Sequence, residues 1–366
     1  MEQPAAPRLI FDSHLDLAWA AVFFDRDLTL PVEEIRRREA GVTDHPARGT
    51  NVLSLPELRR AGVAVCVATL LARSGPEAKH RATILRTDLD YATPAHAHAA
   101  AHAQLAYYRC LEEQGHIRML RTRAELSALW AAYAADPVKT PLGIILSMEG
   151  TDPITHPDQA REWWDLGLRA AGPAHYGRGQ HAYGTATDGP LSAAGIELLR
   201  VMDELGMILD VTHLSDTSMA QAFDYFEGPL LASHHNCRAL VPGDRQLTDE
   251  QIRKIVARGG VIGAALDAWM LYPNWVRQET KPEVVGLAAL ADHIDHVCQI
   301  AGNARHAALG TDLDGGFGHE QTPGDLKLYS DVQKLGGILA GRGYSDEQIA
   351  GIFHGNWVGF FGRNLP

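Results

Sequence analysis

Eight short apolar segments recur along the chain, and longer stretches with helical patterns separate them. Each segment is rich in Val, Ile, Leu and Ala and is almost continuously hydrophobic, as expected of parallel strands covered on both faces. Eight such strands with helices between them predict an α/β fold, a (β/α)8 TIM barrel, built as a single domain over residues 1–366. The segments lie at 8–14, 63–70, 142–149, 167–175, 206–213, 229–234, 260–267 and 306–312.

The main alternative architecture is a doubly wound open sheet. It is disfavoured because no Gly-x-Gly-x-x-Gly pattern follows the first strand. Two stretches are not needed to build a minimal barrel. One is an insertion at about 23–60 after the first strand, and the other is a segment at 176–190 rich in Gly, Thr and His. We expect the second of these to form a loop over the barrel mouth.

Local signals predict where three of the intervening helices begin. Ser215 precedes a helical pattern, Thr248 with Gln251 has the spacing of a capping box, and so does Ser345 with Gln348. Each signal lies between two of the apolar segments or after the last one. The helix starts therefore agree with the alternation of strands and helices.

Composition narrows the classes of function. Of 366 residues, 46% are hydrophobic and 21% charged, which is ordinary globular composition. The net charge of −12, with no block of Lys and Arg, argues against nucleic-acid or anionic-membrane partners. The four cysteines are widely spaced and suit buried thiols in a reducing compartment better than a disulfide framework. With no leader-like pattern and no apolar run of roughly 20 residues, we expect a soluble, cytoplasmic protein.

Polar residues of similar chemistry close most of the apolar segments. In a (β/α)8 barrel the carboxyl ends of the strands meet at one face, where catalytic residues lie. His14 and Asp16 are two apart on a strand and so point to the same side. The full set comprises His14, Asp16, Glu149, His175, His213, His234 and Asp312.

Taken singly, each of these residues has a structural explanation, such as a hydrogen-bonded histidine or a carboxylate at a helix start. Seven of them at the ends of six strands favour a common site, because structural roles do not require them all at one end of the barrel. Charges between apolar flanks are costly to bury unless they are compensated. A bound cation is the simplest compensation.

Three of these histidines and two carboxylates suit a borderline divalent ion such as Zn²⁺. Five ligands are more than one catalytic zinc needs, so the sequence predicts a binuclear site. In this arrangement His14 and Asp16 bind one ion, His213 and His234 bind the other, and Glu149 bridges them. Two such ions can hold a hydroxide between them and polarise a carbonyl, which is the chemistry of hydrolysis.

A second histidine pair lies in an alanine-rich helical pattern. His98 and His102 could lie at i and i+4 on one helix face and form a metal clamp. Two solvated histidines on an alanine-rich helix are the more expected arrangement.

The strand-end motifs, in their order, resemble the renal (membrane) dipeptidase family of zinc peptidases, a branch of the amidohydrolase-like barrels. The resemblance covers nearly the whole chain. It runs through residues 12–16, 148–150, 206–216, 232–234 and 310–315. The five metal ligands predicted above match the binuclear zinc set of that family.

The resemblance implies roles for three further residues. His175 matches the histidine that stabilises the oxyanion of the tetrahedral intermediate. Asp312 matches the carboxylate that takes a proton from the bridging water and returns it to the leaving amine. Arg245 matches the arginine that holds the terminal carboxylate of the substrate, a role that suits a bidentate guanidinium. The alternative for Arg245 is a surface salt bridge with Asp244.

The sequence departs from the pattern of the family on the side of the substrate. The departures lie at Gly172-Pro173, in the loop from 176 to 189, and at 235–238. Arg238 could therefore compete with Arg245 for the carboxylate. Metal chemistry is the better supported inference, and the preference for dipeptides is the weaker one.

We expect zinc-dependent hydrolysis of a small amide, above all a dipeptide. One alternative is an amidohydrolase acting on an N-acyl amino acid, a cyclic amide or a β-lactam, since fold and metal site would be the same. An alternative of another class is a non-catalytic barrel that binds small peptides or metal. No nucleic-acid or membrane partner is expected, and a homodimer is an open alternative on general grounds.

Overall fold

The computed structural model describes residues 6–74 and 90–366. Its centre is a ring of parallel strands, which confirms the predicted α/β barrel. Strands β1 to β6 pair with one another in sequence order, and β7 pairs with β8. The strands are β1 (Ile10–Leu15), β2 (Val63–Leu71), β3 (Leu142–Glu149), β4 (Leu168–Gly172), β5 (Ile208–Asp210), β6 (Leu230–Leu231), β7 (Ile262–Ala264) and β8 (Ala307–Leu309).

Two seams complete the ring. Just after β6, Ala232 forms a parallel bridge with Ile262 of β7. Between β8 and β1, the hydroxyl of Ser13 donates a hydrogen bond of 3.1 Å to the carbonyl of Leu309. The first and last strands are thereby joined through this side chain and through the backbone N–H of Asp312, which donates to the carbonyl of His14 at 3.3 Å.

Helices cover the outside of the ring and the connections between strands. The side chains of Ser215, Thr248 and Ser345 accept amide hydrogen bonds at the starts of three of them, so those predicted helix starts are confirmed. The α-helices are α1 (Leu17–Phe24), α2 (Val32–Arg38), α3 (Leu55–Arg60), α4 (Pro94–Glu113), α5 (Arg123–Ala135), α6 (Ala160–Leu166), α7 (Ala193–Leu205), α8 (Asp216–Tyr225), α9 (Asp249–Ala257), α10 (Leu287–Ala301), α11 (Lys334–Gly341), α12 (Asp346–Ala350) and α13 (Asn356–Asn364). Short helical turns lie at Pro157–Gln159, Ala268–Met270, Pro282–Val284, Tyr329–Gln333 and Gly351–Gly355, and short strands at Arg73–Ser74, Asp90–Tyr91 and Ile117–Met119.

Two glycines allow the backbone to pack closely inside the barrel. A Cβ atom on Gly310 would lie 1.8 Å from the carbonyl oxygen of Ser233, and one on Gly263 would lie 2.0 Å from the same atom. The obstructing atom belongs to the backbone and cannot swing away as a flexible side chain would. The hydroxyl of Ser13 also donates to this carbonyl, at 2.5 Å, so one small layer of the interior depends on these residues.

We expect Gly310→Ala to lower the free energy of unfolding by about 3 kcal/mol, because the new methyl group forces the barrel backbone apart. Urea denaturation followed by circular dichroism measures the effect. Gly337→Ala is the matched control, since Gly337 lies on the exposed side of α11 with no other atom within 4 Å of a Cβ. Equal stability of the two variants would contradict the close packing described here.

The cysteines follow the predicted burial only in part. Cys66, Cys237 and Cys298 are buried, whereas Cys110 is exposed on α4, so the prediction is wrong for that residue. An amphipathic helix places some small residues on its outer face, and the sequence signal did not separate the two faces. In the described residues, no helix is long and apolar enough to cross a lipid bilayer.

Candidate metal centre

The polar residues at the carboxyl ends of the strands meet around Glu149, the last residue of β3. Its Oε1 lies 3.1 Å from Nε2 of His213 and 3.2 Å from Nε2 of His234. The same oxygen lies 3.6 Å from Nε2 of His14 and 3.8 Å from Nε2 of His175. Four imidazoles from four strand ends therefore direct a nitrogen towards one carboxylate.

Two more carboxylates lie beside His14. Its Nε2 is 3.7 Å from Oδ1 of Asp16 and 3.8 Å from Oδ1 of Asp312. The structure thus brings together all seven residues that the strand ends predicted. Among the described residues, three groups have ligating atoms close enough to hold a metal ion: His14 with Glu149 and His234, Glu149 with His175 and His213, and His14 with Asp16 and Asp312.

Hydroxyl groups orient the ligands. The hydroxyl of Ser233 lies 2.8 Å from Nδ1 of His234, and the hydroxyl of Thr185 lies 2.9 Å from Nδ1 of His213. These contacts occupy Nδ1 and leave Nε2 of each ring facing the cluster. A histidine that binds metal commonly has its other nitrogen fixed in this way. Thr185 belongs to the loop at 176–190, which therefore supports the site as well as bordering it.

Two site residues have an unusual backbone. His213 and Asp312 adopt positive φ angles of 67° and 59°, a conformation that costs a non-glycine residue roughly 1–3 kcal/mol and is typical of functional sites. The predicted strands 206–213 and 306–312 are shorter in the structure, where β5 and β8 have three residues each and end three residues before His213 and Asp312.

The carboxylates of the cluster favour a positive charge among them, and their own ionised forms are costly without one. Burial raises the pKa of Glu149 to about 8 and also raises the pKa of Asp312. Burial alone would lower the pKa of His14, but the carboxylates of Glu149 and Asp16 raise it to about 10. Burial lowers the pKa of His213 and His234, which keeps both rings neutral and able to bind metal.

The nitrogen and oxygen atoms of the cluster also suit a divalent metal ion. Nε2 of His14 is buried and has no hydrogen-bond partner among the described residues. A buried polar atom without a partner is costly, and a metal ion would satisfy it. Neutral imidazoles together with carboxylates are the ligands that Zn²⁺ takes in catalytic sites.

Arg245, and not Arg238, faces the centre. Arg245 is 1% exposed, and its Nη2 donates a hydrogen bond of 3.0 Å to the carbonyl of His234. Its Nη1 is buried and has no partner within residues 6–74 and 90–366. Arg238 instead forms a two-pronged ion pair with Asp216, at 2.7 and 2.8 Å. No ion pair joins Arg245 to Asp244 in the described part of the chain, so the surface salt bridge is not the arrangement found.

The cluster lines a cavity of about 770 Å³. Several residues of its wall were not among the predicted site residues. Asp267 could have been predicted, because it closes the seventh apolar segment just as Asp312 closes the eighth. The others do not close an apolar segment; they include Trp19 on α1 and, in the connections, Arg73, Trp269, Trp275, Arg277 and Gln321.

The long connection between β1 and β2 reaches the cavity through Asp44 and His45. It includes the whole of the predicted insertion at 23–60 and contains α1, α2 and α3. Buried ion pairs hold it: Glu39 accepts from Nε of Arg26 at 2.8 Å and from Nη1 of Arg48 at 2.9 Å, and Arg48 also bonds Asp44 at 2.7 Å. This part of the cavity wall is therefore tied to a buried network.

The pair His98 and His102 does not form part of a metal cluster in the described residues. The two rings lie 4.5 Å apart on α4, and the ring of His102 stacks on Trp163. Nδ1 of His98 lies 2.9 Å from the carbonyl of Pro153. The clamp considered as an alternative is not formed, and the favoured pair of solvated histidines is not found either, because both rings pack against neighbouring parts of the chain.

The site and the fold can now be compared with known proteins. The family model of the membrane dipeptidases, peptidase family M19, matches residues 6–363. The chain belongs to this family. The resemblance inferred from the strand-end motifs is thereby confirmed over almost the whole length of the chain.

Relatives in sequence include bacterial and fungal proteins. An uncharacterized protein in the pqqA 5′ region of Klebsiella pneumoniae is 32% identical over 204 residues, which is 54% of this chain and 72% of that protein. The dipeptidase aclJ of Aspergillus oryzae is 29% identical over 200 residues, 54% of this chain and 45% of that protein. The chain thus spans about half the length of the fungal relative.

The fold is shared with solved members of the family. A metallopeptidase from Rhodobacter sphaeroides, liganded with a phosphinate mimic of the dipeptide L-Ala-D-Ala, superposes with a TM-score of 0.77. The alignment covers 98% of this chain and 99% of that one, at 22% sequence identity. The likeness establishes a common architecture from end to end.

Proposed function

We propose that this protein is a zinc-dependent dipeptidase with two metal ions at the centre around Glu149. The observation that supports this function best is the convergence of four histidines and three carboxylates in one cavity with a buried, partly unpaired arginine. Membership of the M19 family favours the same activity. A metal-binding protein without catalysis would not need Asp312 and Arg245 beside the ligands.

The chain offers ligands for two ions. His14 and Asp16 would hold one ion, His213 and His234 the other, and Glu149 would bridge them. Bound there, zinc would supply an activated water nucleophile and a Lewis acid for the scissile carbonyl.

The other residues of the site bind the substrate and move the proton. The free Nη1 of Arg245 can bind the terminal carboxylate of a peptide in a charge-assisted hydrogen bond. Burial and the neighbouring Arg73 lower the pKa of His175, so its ring is neutral and can donate an N–H to the oxyanion. Burial raises the pKa of Asp312, which favours a carboxyl that takes up a proton and passes it to the leaving amine.

An N-acyl amino acid is the nearest alternative substrate, because it also ends in a carboxylate that Arg245 could bind. It differs from a dipeptide in lacking a free amino group. The cytoplasmic location expected from the sequence stays a prediction, and the homodimer stays an open alternative.

The deciding experiment combines metal content with hydrolysis. We expect about two zinc ions per chain by mass spectrometry, cleavage of dipeptides such as Ala-Ala, and loss of that cleavage on chelation with recovery when zinc is returned. Faster cleavage of N-acetyl-alanine or a β-lactam would assign the site to another amide. Metal-loaded protein that cleaves none of these amides would favour the non-catalytic alternative.

A further inference from the structure

We propose that Arg277 selects dipeptides whose carboxyl-terminal residue carries an acidic side chain. The proposal rests on the dipeptidase function proposed above and adds a specificity determinant to it. Arg277 lines the same cavity as the metal cluster and is exposed to solvent, so a bound substrate can reach it.

Among the described residues, three arginines line this cavity, and the surroundings of the other two give them other roles. Arg73 is paired with Asp90 through Nε and through Nη2, the latter at 3.1 Å. Arg245 is fully buried beside His234 and is already assigned to the terminal carboxylate. Arg277 forms no ion pair within the described residues, and its Nε donates to Gln321 at 2.9 Å. Of the three arginines described here, Arg277 is therefore the one whose terminal nitrogens are left for a ligand.

A chain of hydrogen bonds orients this guanidinium. The side-chain amide of Gln321 donates to both carboxylate oxygens of Asp267, at 2.8 and 3.0 Å. The ring nitrogen of Trp269 donates to the same carboxylate at 2.7 Å. With its NH₂ group held in this way, Gln321 presents its oxygen to Nε of Arg277. The two terminal nitrogens of Arg277 remain available for a carboxylate, which a guanidinium can bind with two parallel hydrogen bonds.

The shared cavity wall indicates which residue of the substrate Arg277 would contact. Arg245 and Arg277 line one cavity together with Tyr176 and Asp312. Since Arg245 is assigned to the terminal carboxylate, we assign to Arg277 the side chain of that same terminal residue. Met270 and Trp275 line the cavity on the same segment and offer apolar surface to its methylene groups.

The test compares Ala-Glu with Ala-Gln, which have nearly the same shape and differ in charge. We expect kcat/KM for Ala-Glu to exceed that for Ala-Gln by about 10- to 100-fold in the unaltered protein. Arg277→Met should abolish this ratio, and Arg277→Lys should keep part of it. Arg305→Met is the matched control: Arg305 is exposed, bonds to Asn303 and to no other residue in the described part of the chain, and precedes β8 at the other end of the strand. The ratio of kcat/KM for Ala-Glu to that for Ala-Gln should not change in this control variant.

Several results would overturn the proposal. One is a ratio near one in the unaltered protein, and another is a ratio that survives Arg277→Met. Equal losses for Ala-Glu and Ala-Gln would show that Arg277 acts on the peptide backbone instead. A preference that appears only for Glu-Ala over Gln-Ala would contradict the assignment to the carboxyl-terminal residue.

A binding measurement separates this proposal from the proposed function. Calorimetry with analogues of Ala-Glu and Ala-Gln in which CH₂–NH replaces the peptide CO–NH reports selectivity without turnover. Tighter binding of the acidic analogue that is lost in Arg277→Met would support the role of Arg277 even if no dipeptide were cleaved. Equal binding of both analogues would reject that role while leaving dipeptide hydrolysis unaffected.

Discussion

Asp312→Asn should keep its metal and lose nearly all turnover. Asparagine matches aspartate in shape and tolerates the positive φ of this position, so the backbone after β8 should not change. An amide cannot take up the proton that a carboxylate accepts, and removal of a general base lowers turnover by about 100- to 10,000-fold. Steady-state hydrolysis of Ala-Ala, measured beside zinc content, gives both quantities on one sample.

The two readouts distinguish three roles for Asp312. Retained zinc with lost turnover supports proton transfer. Loss of zinc would make Asp312 a ligand, an outcome that its place beside His14 and Asp16 also allows. Full activity would remove it from the mechanism. Asp346→Asn, at a side chain 89% exposed, is the matched control and should leave both readouts unchanged.

Glu149→Gln should remove both metal and activity. Glu149 is the carboxylate that four imidazoles approach, and a neutral amide is a poor bridge between two cations. We expect zinc content to fall clearly below that of the unaltered protein and dipeptide hydrolysis to fall by more than about 100-fold. Zinc that stays at two ions per chain would contradict a bridging role.

The same variant has a distinct effect on the metal-free protein. In the folded chain burial raises the pKa of Glu149 to about 8 from an ordinary 4.5, so folding favours the protonated form. The contribution of Glu149 to the free energy of unfolding is therefore fully present below pH 4.5 and is lost as the pH rises through 8. Metal-free Glu149→Gln should lose less stability between pH 5 and pH 9 than the metal-free unaltered protein. Thermal unfolding at each pH, with chelator present, measures the difference.

The strands show which strand boundaries a hydrophobic pattern can predict. The segment 142–149 coincides with β3, because both of its ends are marked by a change from apolar to polar residues. The segment 229–234 shrinks to the two residues of β6. The residues after Leu231 are buried although they no longer pair as a strand. A hydrophobic pattern indicates which residues are buried and does not show where strand pairing ends. The short strand Ile117–Met119 was not predicted, since three residues are too few to show a period.

The residues of the candidate site were also predictable only in part. Its seven polar residues could be predicted because each ends an apolar segment, and parallel strands bring their carboxyl ends to one face. Arg73 and Arg277 could not, because they lie in connections whose course depends on the tertiary structure. The choice between Arg238 and Arg245 also needed coordinates: both follow His234 closely in sequence, yet one pairs with Asp216 and the other is buried beside the cluster.

The seam between β1 and β8 has a consequence for the synthesis of the chain. Ser13 and Leu309, which meet at this seam, are 296 positions apart in the sequence, and the site draws residues from both strand ends. A nascent chain therefore carries His14 and Asp16 long before the strand that completes their surroundings leaves the ribosome, at about 5–20 residues per second. Contacts between such distant positions also form late in folding. The proposed hydrolytic activity would thus be absent until the barrel closes, so that unfinished chains would carry no active centre.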